Sequence, residues 1–533
     1  MATVASPRRS VPRLQLRVPD RVRRLPGWVL AGGFLVVLLA ISAYIRTRYA
    51  GSQFWEDEAL TTGISSHSLS AIPGVLRHDG SPPLFYLLLH VWMSAFGSGE
   101  AATHALSLVF GLLTIPIGMW AAWSLFGRRA GYMAAVLFAF NAFLTAYAQE
   151  TRMYELMGLL GLLATAAFLH AFVFRRRKYL ILLAVCQALM LYTHSWGIFF
   201  GLGAVIALIP AYIASDDRRG IVRDAVLVFV GAGILYLPWL PNFIYQATHT
   251  GDPWANTPRL GAPVLISRDL LGGDRVTAAL VIAAVIGFTE LFRRAARRTQ
   301  EATALWTLIA LPTATLVIAW LASQVTPAFV SRYFAPVLAS FLLLAAWGCA
   351  RARIVGVVAI ALSVVFLANP TEFAAEYKSD MRDVGGEMAP LLHKGDLVLL
   401  SQPDQVPLGW YYLPAGVRFA STIGAVSDPR FMNWVDALPR LKHTNSQANL
   451  APLIASLKPG QQLLWVRPLT EGVQNWKAPW TELVRRRSAQ WDAVIAADHS
   501  LAPVAWAPHY YRGASDLADS ALLYRKLPRG AKS

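Results

Sequence analysis

Charged residues and cysteines are both scarce in this sequence. Only 15% of its 533 residues are Asp, Glu, Lys or Arg, whereas a soluble domain carries about 25%. The two cysteines, Cys186 and Cys349, each lie inside an apolar run, so no disulfide framework is predicted. Hydrophobic residues make up 55% of the chain, and the mean hydropathy is +0.44. These values indicate a polytopic membrane protein.

Two nucleotide-binding motifs are also missing. The sequence has neither a P-loop nor a Gly-rich dinucleotide fingerprint, so ATP-driven and Rossmann-type chemistry have no support. The formal net charge is +17, but the basic residues are scattered in short loop clusters. This pattern is typical of cytoplasmic loops that face anionic lipids, and it argues against nucleic-acid binding. Residues 1–26 are rich in Arg and Pro and are predicted to form a disordered cytoplasmic tail.

Eleven apolar segments are predicted to cross the membrane. Clusters of Arg and Lys near residues 128, 175, 218, 293 and 351 alternate with loops that are poorer in these residues. The positive-inside rule places these clusters and the N-terminus in the cytoplasm. The predicted spans are 27–45, 102–125, 130–148, 155–174, 179–193, 197–214, 222–240, 276–292, 303–322, 332–350 and 354–369.

A further apolar segment, 83–97, is predicted not to cross. If it crossed, every basic cluster after it would face outside. The segment is also short, begins at a Pro pair and carries His90. We predict an interfacial or re-entrant helix inside a long first outer loop, 46–101. The alternative is a true span, with another segment misassigned.

The chain changes character after residue 369. Polar residues, Trp and Pro become frequent, and no apolar run is long enough to span. Residues 27–369 are therefore predicted to form the transmembrane domain, and 370–533 a soluble extracytoplasmic α/β domain. Its predicted elements are strands at 396–401 and 462–467 and helices at 379–393 and 478–495.

Three consecutive carboxylates, Glu56-Asp57-Glu58, follow the first span and are preceded by aromatic residues. Acidic groups at this depth are costly unless they have a partner or a function. A carboxylate here can act as a general base, or bind a divalent metal with its neighbour. An exposed acidic turn is the structural alternative. A metal site that combines Asp57 with His67 and His78 is a further alternative, although the spacing matches no known metal motif.

The other candidates for a site lie in segments predicted to face outside. Arginines there are suited to bind a phosphate. Structural roles are the alternatives: Arg152 can pair with Glu150, Arg332 can snorkel to the interface, and His194 can be a satisfied interfacial residue. The predicted binding residues are His78, Asp79, Glu150, Arg152, Tyr154, His194, Arg332 and Tyr333.

In order and spacing, these pieces resemble the GT-C superfamily of integral-membrane glycosyltransferases. Within it, the chain looks most like the branch of the protein O-mannosyltransferases and the lipid A aminoarabinose transferase. The resemblance covers about residues 27–350. The matching pieces are Asp57-Glu58, the Pro-Pro-Leu-Phe-Tyr-Leu-Leu run at 82–88, the segment 149–154, and Arg332-Tyr333 followed by Pro336.

The resemblance implies roles for individual residues. Asp57 matches the catalytic acidic position of the family and Glu58 its neighbour, while Arg332 matches a position that binds the donor phosphate. Because Glu56 adds a third carboxylate, the pattern alone does not fix the base, and we choose Asp57. Three further residues match a segment that lines the active site: Glu150, Arg152 and Tyr154.

The resemblance implies transfer of a sugar from a polyprenyl-phosphate donor, with inversion, and we predict that the protein acts in the plasma (inner) membrane. The acceptor is a glycan, lipid or protein of the cell envelope. A site outside the membrane cannot use cytoplasmic nucleotide sugars, so the donor must be carried by lipid. The Arg- and Ala-rich composition is typical of actinobacterial proteins, which suggests decaprenyl phosphate as carrier and arabinose or mannose as sugar. A transporter or flippase of a lipid-linked precursor, and a non-enzymatic assembly partner, are the alternatives.

Overall fold

The computed structural model describes residues 26–293, 299–367, 378–468, 477–508 and 519–528. The tail predicted over 1–26 therefore lies almost entirely outside the described residues. Up to residue 367 the described chain is helical. Its helices are α1 Gly27–Arg46, α2 Glu56–Ser65, α3 Ile72–Asp79, α4 Leu84–Phe96, α5 Glu100–Phe126, α6 Arg128–Phe140, α7 Ala142–Tyr147, α8 Tyr154–Phe168, α9 Tyr179–Thr193, α10 Gly197–Ile206, α11 Leu208–Ala214, α12 Arg218–Tyr236, α13 Leu240–His249, α14 Ala262–Leu271, α15 Asp274–Arg293, α16 Gln300–Ala322, α17 Ala335–Arg351 and α18 Ile354–Leu367.

Within the described ranges, six helical segments are long and apolar enough to cross a membrane. Two bent pairs, α12 with α13 and α14 with α15, turn by 79° and 88° and bring the number to eight if each pair is one span. Helices α4, α9 and α18 are apolar but shorter. The predicted polytopic helical fold is confirmed, and the count of eleven spans stays a prediction.

The segment 83–97 forms a single short helix, α4. At about 1.5 Å per residue, its 13 residues reach about 20 Å, less than the ~30 Å hydrocarbon core. Phe85, Tyr86 and Leu89 are buried against the bundle. Nδ1 of His90 lies 2.9 Å from the carbonyl oxygen of Ser65 and ties α4 to the end of α2. This geometry fits an interfacial helix of the first outer loop.

The predicted span 130–148 is divided at Asn141, between α6 and α7. The Asn141 side chain accepts the Leu144 N–H at 3.0 Å, and its amide donates to the Leu270 carbonyl at 2.9 Å. Asn favours such caps because its side chain competes with the backbone hydrogen bonds of a continuous helix. Helix α8 follows and is almost wholly buried at the centre of the bundle.

The C-terminal domain, which is called the outer domain below because it is predicted to lie outside the membrane, contains a mixed six-stranded sheet in the order β3-β2-β1-β4-β6-β5. Strand β1 pairs in parallel with β2 and β4, and the remaining pairs are antiparallel. The predicted α/β character is confirmed, and the four predicted elements coincide with β1, β4, α19 and α23. The elements are β1 Leu397–Leu400, β2 Arg418–Ser421, β3 Gly424–Val426, β4 Gln462–Pro468, β5 Leu501–Ala507 and β6 Asp519–Lys526, with α19 Met381–Met388, α20 Val406–Tyr412, α21 Ala437–Lys442, α22 Ala451–Ala455 and α23 Pro479–Ala496.

The two faces of this sheet bury different partners, because side chains alternate along a strand. One face packs on α23 through Trp491. The other face, which includes Val398 and Leu464, forms one apolar cluster with Phe54 and Ala59 of the first outer loop. Both of these loop residues are fully buried. The hydrophobic core of the outer domain is therefore completed by the loop that carries the acidic cluster.

Candidate active site

Helix α2 presents the acidic cluster. It begins at Glu56, and the Glu58 carboxylate accepts the backbone N–H of Trp55 at 3.4 Å, in the manner of a capping box. Carboxylates in the first turn are also favoured by the helix dipole. Asp57 is the second residue of the helix, and its side chain is 23% exposed.

Asp57 opens into a cavity of about 400 Å³. The segments predicted to face outside converge on this cavity, and one residue of the outer domain joins them. The polar and aromatic lining residues include Asp57, Asp79, Arg152, His194, Gln246, Asp252, Trp254, Arg332, Tyr333 and Trp434.

Two arginines flank the Asp57 carboxylate. Its Oδ2 lies 3.5 Å from Nη2 of Arg152 and 3.7 Å from Nη2 of Arg332. Arg152 is also fixed by a 2.8 Å hydrogen bond to the Thr61 hydroxyl of the same helix α2. One carboxylate between two guanidinium groups leaves this trio with a net positive charge. The arrangement suits a phosphate, which guanidinium groups bind in bidentate fashion.

Aromatic rings surround the second arginine. The guanidinium carbon of Arg332 lies 5.5 Å from the ring centre of Trp55, 5.3 Å from that of Trp254 and 5.6 Å from that of Tyr333. Cation–π contacts of this kind hold a guanidinium in place without neutralising it. The charge of Arg332 therefore stays available to a ligand.

Glu58 faces away from the cavity and is fully buried. Its oxygens lie 2.8 and 2.9 Å from Nζ of Lys378, and Oε1 lies 2.7 Å from Nε2 of His104. Oε1 also accepts the Thr151 N–H at 2.8 Å. Burial alone would raise the pKa of Glu58, but the charges of Lys378 and His104 outweigh it and lower the pKa to about 2. Glu58 is thus an ionised anchor for α2.

Comparisons with known proteins agree with this geometry. A family model described as dolichyl-phosphate-mannose-protein mannosyltransferase matches residues 80–245. The crystal structure of ArnT from Cupriavidus metallidurans bound to undecaprenyl phosphate superposes with a TM-score of 0.59 at 15% identity, covering 94% of this chain and 100% of that chain. The apo structure of the same protein gives 0.58 at 15% identity, over 92% and 98%. The chain has the GT-C fold.

The resemblance to the GT-C superfamily that the motifs indicated is therefore confirmed. At 15% identity the similarity to ArnT concerns the fold alone. A search of curated protein sequences returned no match.

In this GT-C fold, three of the predicted residues form an aromatic group beside Arg152. The His194 and Tyr333 rings are 4.6 Å apart, and Tyr154 lies behind them, 6.4 Å from Tyr333. Burial, with the charges of Arg152 and Arg332, lowers the pKa of His194 to about 3, so the imidazole is neutral. Its Nδ1 accepts the Trp196 N–H at 3.2 Å.

Glu150 and His78 do not line the cavity. Glu150 lies behind it, and its Oε2 is buried with no hydrogen-bond partner among the residues that the structure describes. Burial raises the pKa of Glu150 to about 7, although Lys378 opposes the shift. The exposed His78 side chain contacts the Gly74 carbonyl within α3 at 3.0 Å, whereas Asp79, the last residue of the same helix, is buried.

The metal alternative finds no ligand set in the described ranges. No group of three His, Cys, Asp or Glu side chains there is placed to hold a metal ion. His67 is turned toward the outer domain, where its Nε2 lies 2.8 Å from Asp428.

The sequence analysis did not predict four residues that contribute to the site: Gln246, Asp252, Lys378 and Trp434. Asp252 had a usable signal, since it precedes Pro253-Trp254 in a predicted outer loop. The others carried none. Lys378 and Trp434 lie far along the chain from α2, and only the folded outer domain brings them to it.

Proposed function

We propose that this protein is a GT-C glycosyltransferase that moves a sugar from a polyprenyl-phosphate donor to an extracytoplasmic acceptor. The observation that carries the proposal is the placement of Asp57 between Arg152 and Arg332 in a cavity at the end of the helical bundle. A carboxylate and two cations at one place supply both a proton acceptor and a phosphate site.

In the proposed reaction, Arg152 and Arg332 bind the donor phosphate and Asp57 faces the acceptor hydroxyl. The hydroxyl oxygen forms a bond to the anomeric carbon while its proton passes to the Asp57 carboxylate. The bond between the anomeric carbon and the phosphate oxygen breaks, and its electron pair stays on the phosphate. A single displacement of this kind inverts the anomeric centre.

The two arginines act on the leaving group. Negative charge grows on the phosphate as its bond breaks, and fixed guanidinium groups stabilise that charge with no reorganisation. Both also attract the Asp57 carboxylate in the absence of a donor. A bound phosphate competes for this attraction and frees Asp57 to accept a proton.

The donor and its location are part of the proposal. The similar ArnT structure is bound to undecaprenyl phosphate, which supports a polyprenyl-phosphate donor for this chain. We extend the proposal to a decaprenyl carrier, a sugar of arabinose or mannose type, and a plasma-membrane protein whose N-terminus is cytoplasmic and whose C-terminal domain is outside.

The test is sugar transfer by purified protein from radiolabelled polyprenyl-phosphate arabinose or mannose. Asp57→Asn keeps the size of the side chain but removes the base, so we expect the rate to fall by about 10²- to 10⁴-fold. Asp216→Asn is the matched control, because Asp216 is exposed between α11 and α12 and lies outside the cavity lining.

Wild-type turnover by Asp57→Asn would contradict the role of Asp57. A wild-type protein that moves the lipid-linked sugar across a liposome membrane, yet transfers none, would favour the flippase alternative.

A further inference from the structure

The cavity has a second polar region whose chemistry differs from that around Asp57. Asp79, Gln246, Asp252 and Trp434 all line the cavity, and together they are called the acceptor wall here. Their polar side-chain groups are carboxylates, an amide and an indole. Among the lining residues that the structure describes, the arginines belong to the phosphate site with Asp57 and not to this wall.

The acceptor wall is held together by backbone contacts between distant segments. The N–H of Trp434 donates to the His78 carbonyl at 2.9 Å, and the N–H of Asp436 donates to the His249 carbonyl at 2.9 Å. One loop of the outer domain therefore fastens onto both segments that carry the wall's acidic residues. The indole of Trp434 is supported from behind by Trp480, with ring centres 5.1 Å apart.

Gln246 supplies an unsatisfied acceptor. The residue is 3% exposed. Its Nε2 donates to the carbonyls of Leu76 and Ser81 at 2.9 and 3.2 Å, which fixes the orientation of the amide. Its Oε1 is buried with no partner in the described part of the chain. A buried acceptor in a cavity lining calls for a donor from the ligand, because leaving it unpaired is unfavourable.

These groups define the ligand by its chemistry. Two carboxylates and an amide oxygen accept hydrogen bonds, so the ligand must carry several O–H donors. An indole face packs on the C–H face of a sugar ring. Among the described residues, the wall itself supplies no cation that would offset the charge of an anionic headgroup. A neutral carbohydrate meets all three conditions, whereas a phosphorylated lipid does not.

We infer that the sugar acceptor is a neutral carbohydrate, and that the acceptor wall binds it with one hydroxyl directed to Asp57. This inference rests on the proposed function. The phosphate site accounts for the donor, which arrives from the membrane. Trp434 comes from the soluble outer domain, the side from which a water-borne glycan chain enters. The outer domain thereby selects the acceptor.

The experiment measures initial rates against a panel of acceptors: neutral arabinose and mannose oligosaccharides, an anionic phospholipid and a serine-containing peptide. Wild-type protein is expected to use a neutral oligosaccharide. Trp434→Ala should raise the KM for that oligosaccharide at least 10-fold and leave the KM for the donor unchanged. Trp434→Phe should recover part of the loss, since it keeps a stacking ring.

Two further variants make the result interpretable. Trp506→Ala is the matched control, because Trp506 is 60% exposed on strand β5 and lies outside the cavity lining; its kinetics should match wild type. Asp252→Asn changes the wall without removing packed volume, and it should raise the oligosaccharide KM even if Trp434→Ala folds poorly.

The outcomes separate the two claims. Wild-type protein that transfers no sugar to any acceptor contradicts the proposed function itself. Normal transfer with an unchanged oligosaccharide KM in both wall variants overturns the acceptor assignment alone. If the wall variants raise the KM for the donor instead, the wall binds the donor sugar. If sugar is transferred to the peptide or the phospholipid but to no oligosaccharide, the acceptor is of a different class. Either result overturns the inference.

Discussion

At the scale of single residues, two aspartates of the cavity combine burial with a shifted pKa. Burial raises the pKa of Asp79 to about 6, although hydrogen bonds from Ser81 and the charge of Arg152 oppose it. Burial likewise raises the pKa of Asp252 to about 7, against the charge of Arg332. In an unfolded chain an aspartate titrates near pH ~4. The folded protein therefore keeps protons on both groups at a pH where the unfolded chain has lost them.

This difference predicts how stability changes with pH. Between about pH 4 and 7 the folded state binds more protons than the unfolded state, so the free energy of unfolding falls as pH rises. Glu150 adds to the fall, because its pKa is also raised. Glu58 does not add to the fall. Because its pKa is lowered, Glu58 stabilises the folded state when it is ionised, and this stabilisation is already complete above about pH 5. We expect the apparent melting temperature in detergent to decrease from pH 5 to pH 8.

The Asp79→Asn, Asp252→Asn double variant carries neutral groups at every pH, so its melting temperature should depend less steeply on pH. Asp216→Asn, at an exposed site outside the cavity, should keep the wild-type slope. An identical slope in the double variant and in wild type would rule out these aspartates as the cause.

The sequence located part of the site because some residues have a local signal. Asp57 and Arg152 stand out as charges directly beside apolar spans, where a charge needs a reason. Gln246 and Trp434 have no such signal. A Gln in a predicted outer loop and a Trp in a soluble domain are ordinary, and their importance depends on contacts made across the folded chain.

At the scale of elements, helix α2 depends on a contact from the outer domain. The residues from Glu58 to Ser65 are all buried, so the helix cannot adjust toward solvent. Lys378 lies at the start of the described outer domain. It donates to both oxygens of Glu58 and, at 2.6 Å, to the Gln149 carbonyl. The ion pair joins the helix that carries Asp57 to the segment that carries Arg152.

Lys378→Met should destabilise the protein strongly. The substitution removes the charge that contributes most to keeping buried Glu58 ionised, and the loss of one partner of a buried ion pair costs about 3–5 kcal/mol. We expect a lower apparent melting temperature and a reduced transfer rate. Adding Glu58→Gln should recover part of the loss in stability, since the remaining buried group is then neutral.

Lys394→Met is the control for this pair, because Lys394 is exposed in the outer domain. A Lys378→Met protein as stable as the Lys394→Met protein would show that the pair does not anchor α2.

Helix positions were largely predictable, and helix breaks were not. The apolar runs predicted as spans reappear as helices, because 3.6-residue geometry satisfies the backbone in an apolar medium. The interruption at Asn141 escaped prediction, since it depends on an amide that reaches the Leu270 carbonyl in a distant helix. The strand order of the sheet in the outer domain could not be predicted from the sequence either, because parallel strands pair across long connections.

At the scale of the whole molecule, the outer domain packs tightly against helix α2 of the membrane domain. At one position of this contact there is no room for an additional methyl group. A Cβ added at Gly63, in α2, would overlap the carbonyl oxygen of Arg430 in the outer domain. A Cβ added at Gly74, in α3, would meet nothing within 4 Å. The two glycines form a matched pair for testing the interface.

Gly63→Ala should push the loop at Arg430 outward and cost about 1–3 kcal/mol, as overpacking does. The displaced loop also carries Trp434, so transfer should slow as well. Gly74→Ala should be neutral, or stabilising by up to ~1 kcal/mol, because Ala favours a helix. Melting temperature and transfer rate report both effects. Equal melting temperatures and transfer rates for the two variants would contradict a tight contact between Gly63 and the loop at Arg430.

The bond between Glu58 and Lys378 joins residues 320 positions apart in the sequence, and this separation has a consequence for biosynthesis. While the ribosome delivers the membrane helices one after another, Glu58 has no lysine to pair with. The helix that bears Asp57 is secured only after every span has been inserted and the outer domain has begun to emerge. A chain that stalls partway into the membrane therefore has a helix α2 that lacks its buried lysine partner, and the order of synthesis itself delays the assembly of the cavity around Asp57.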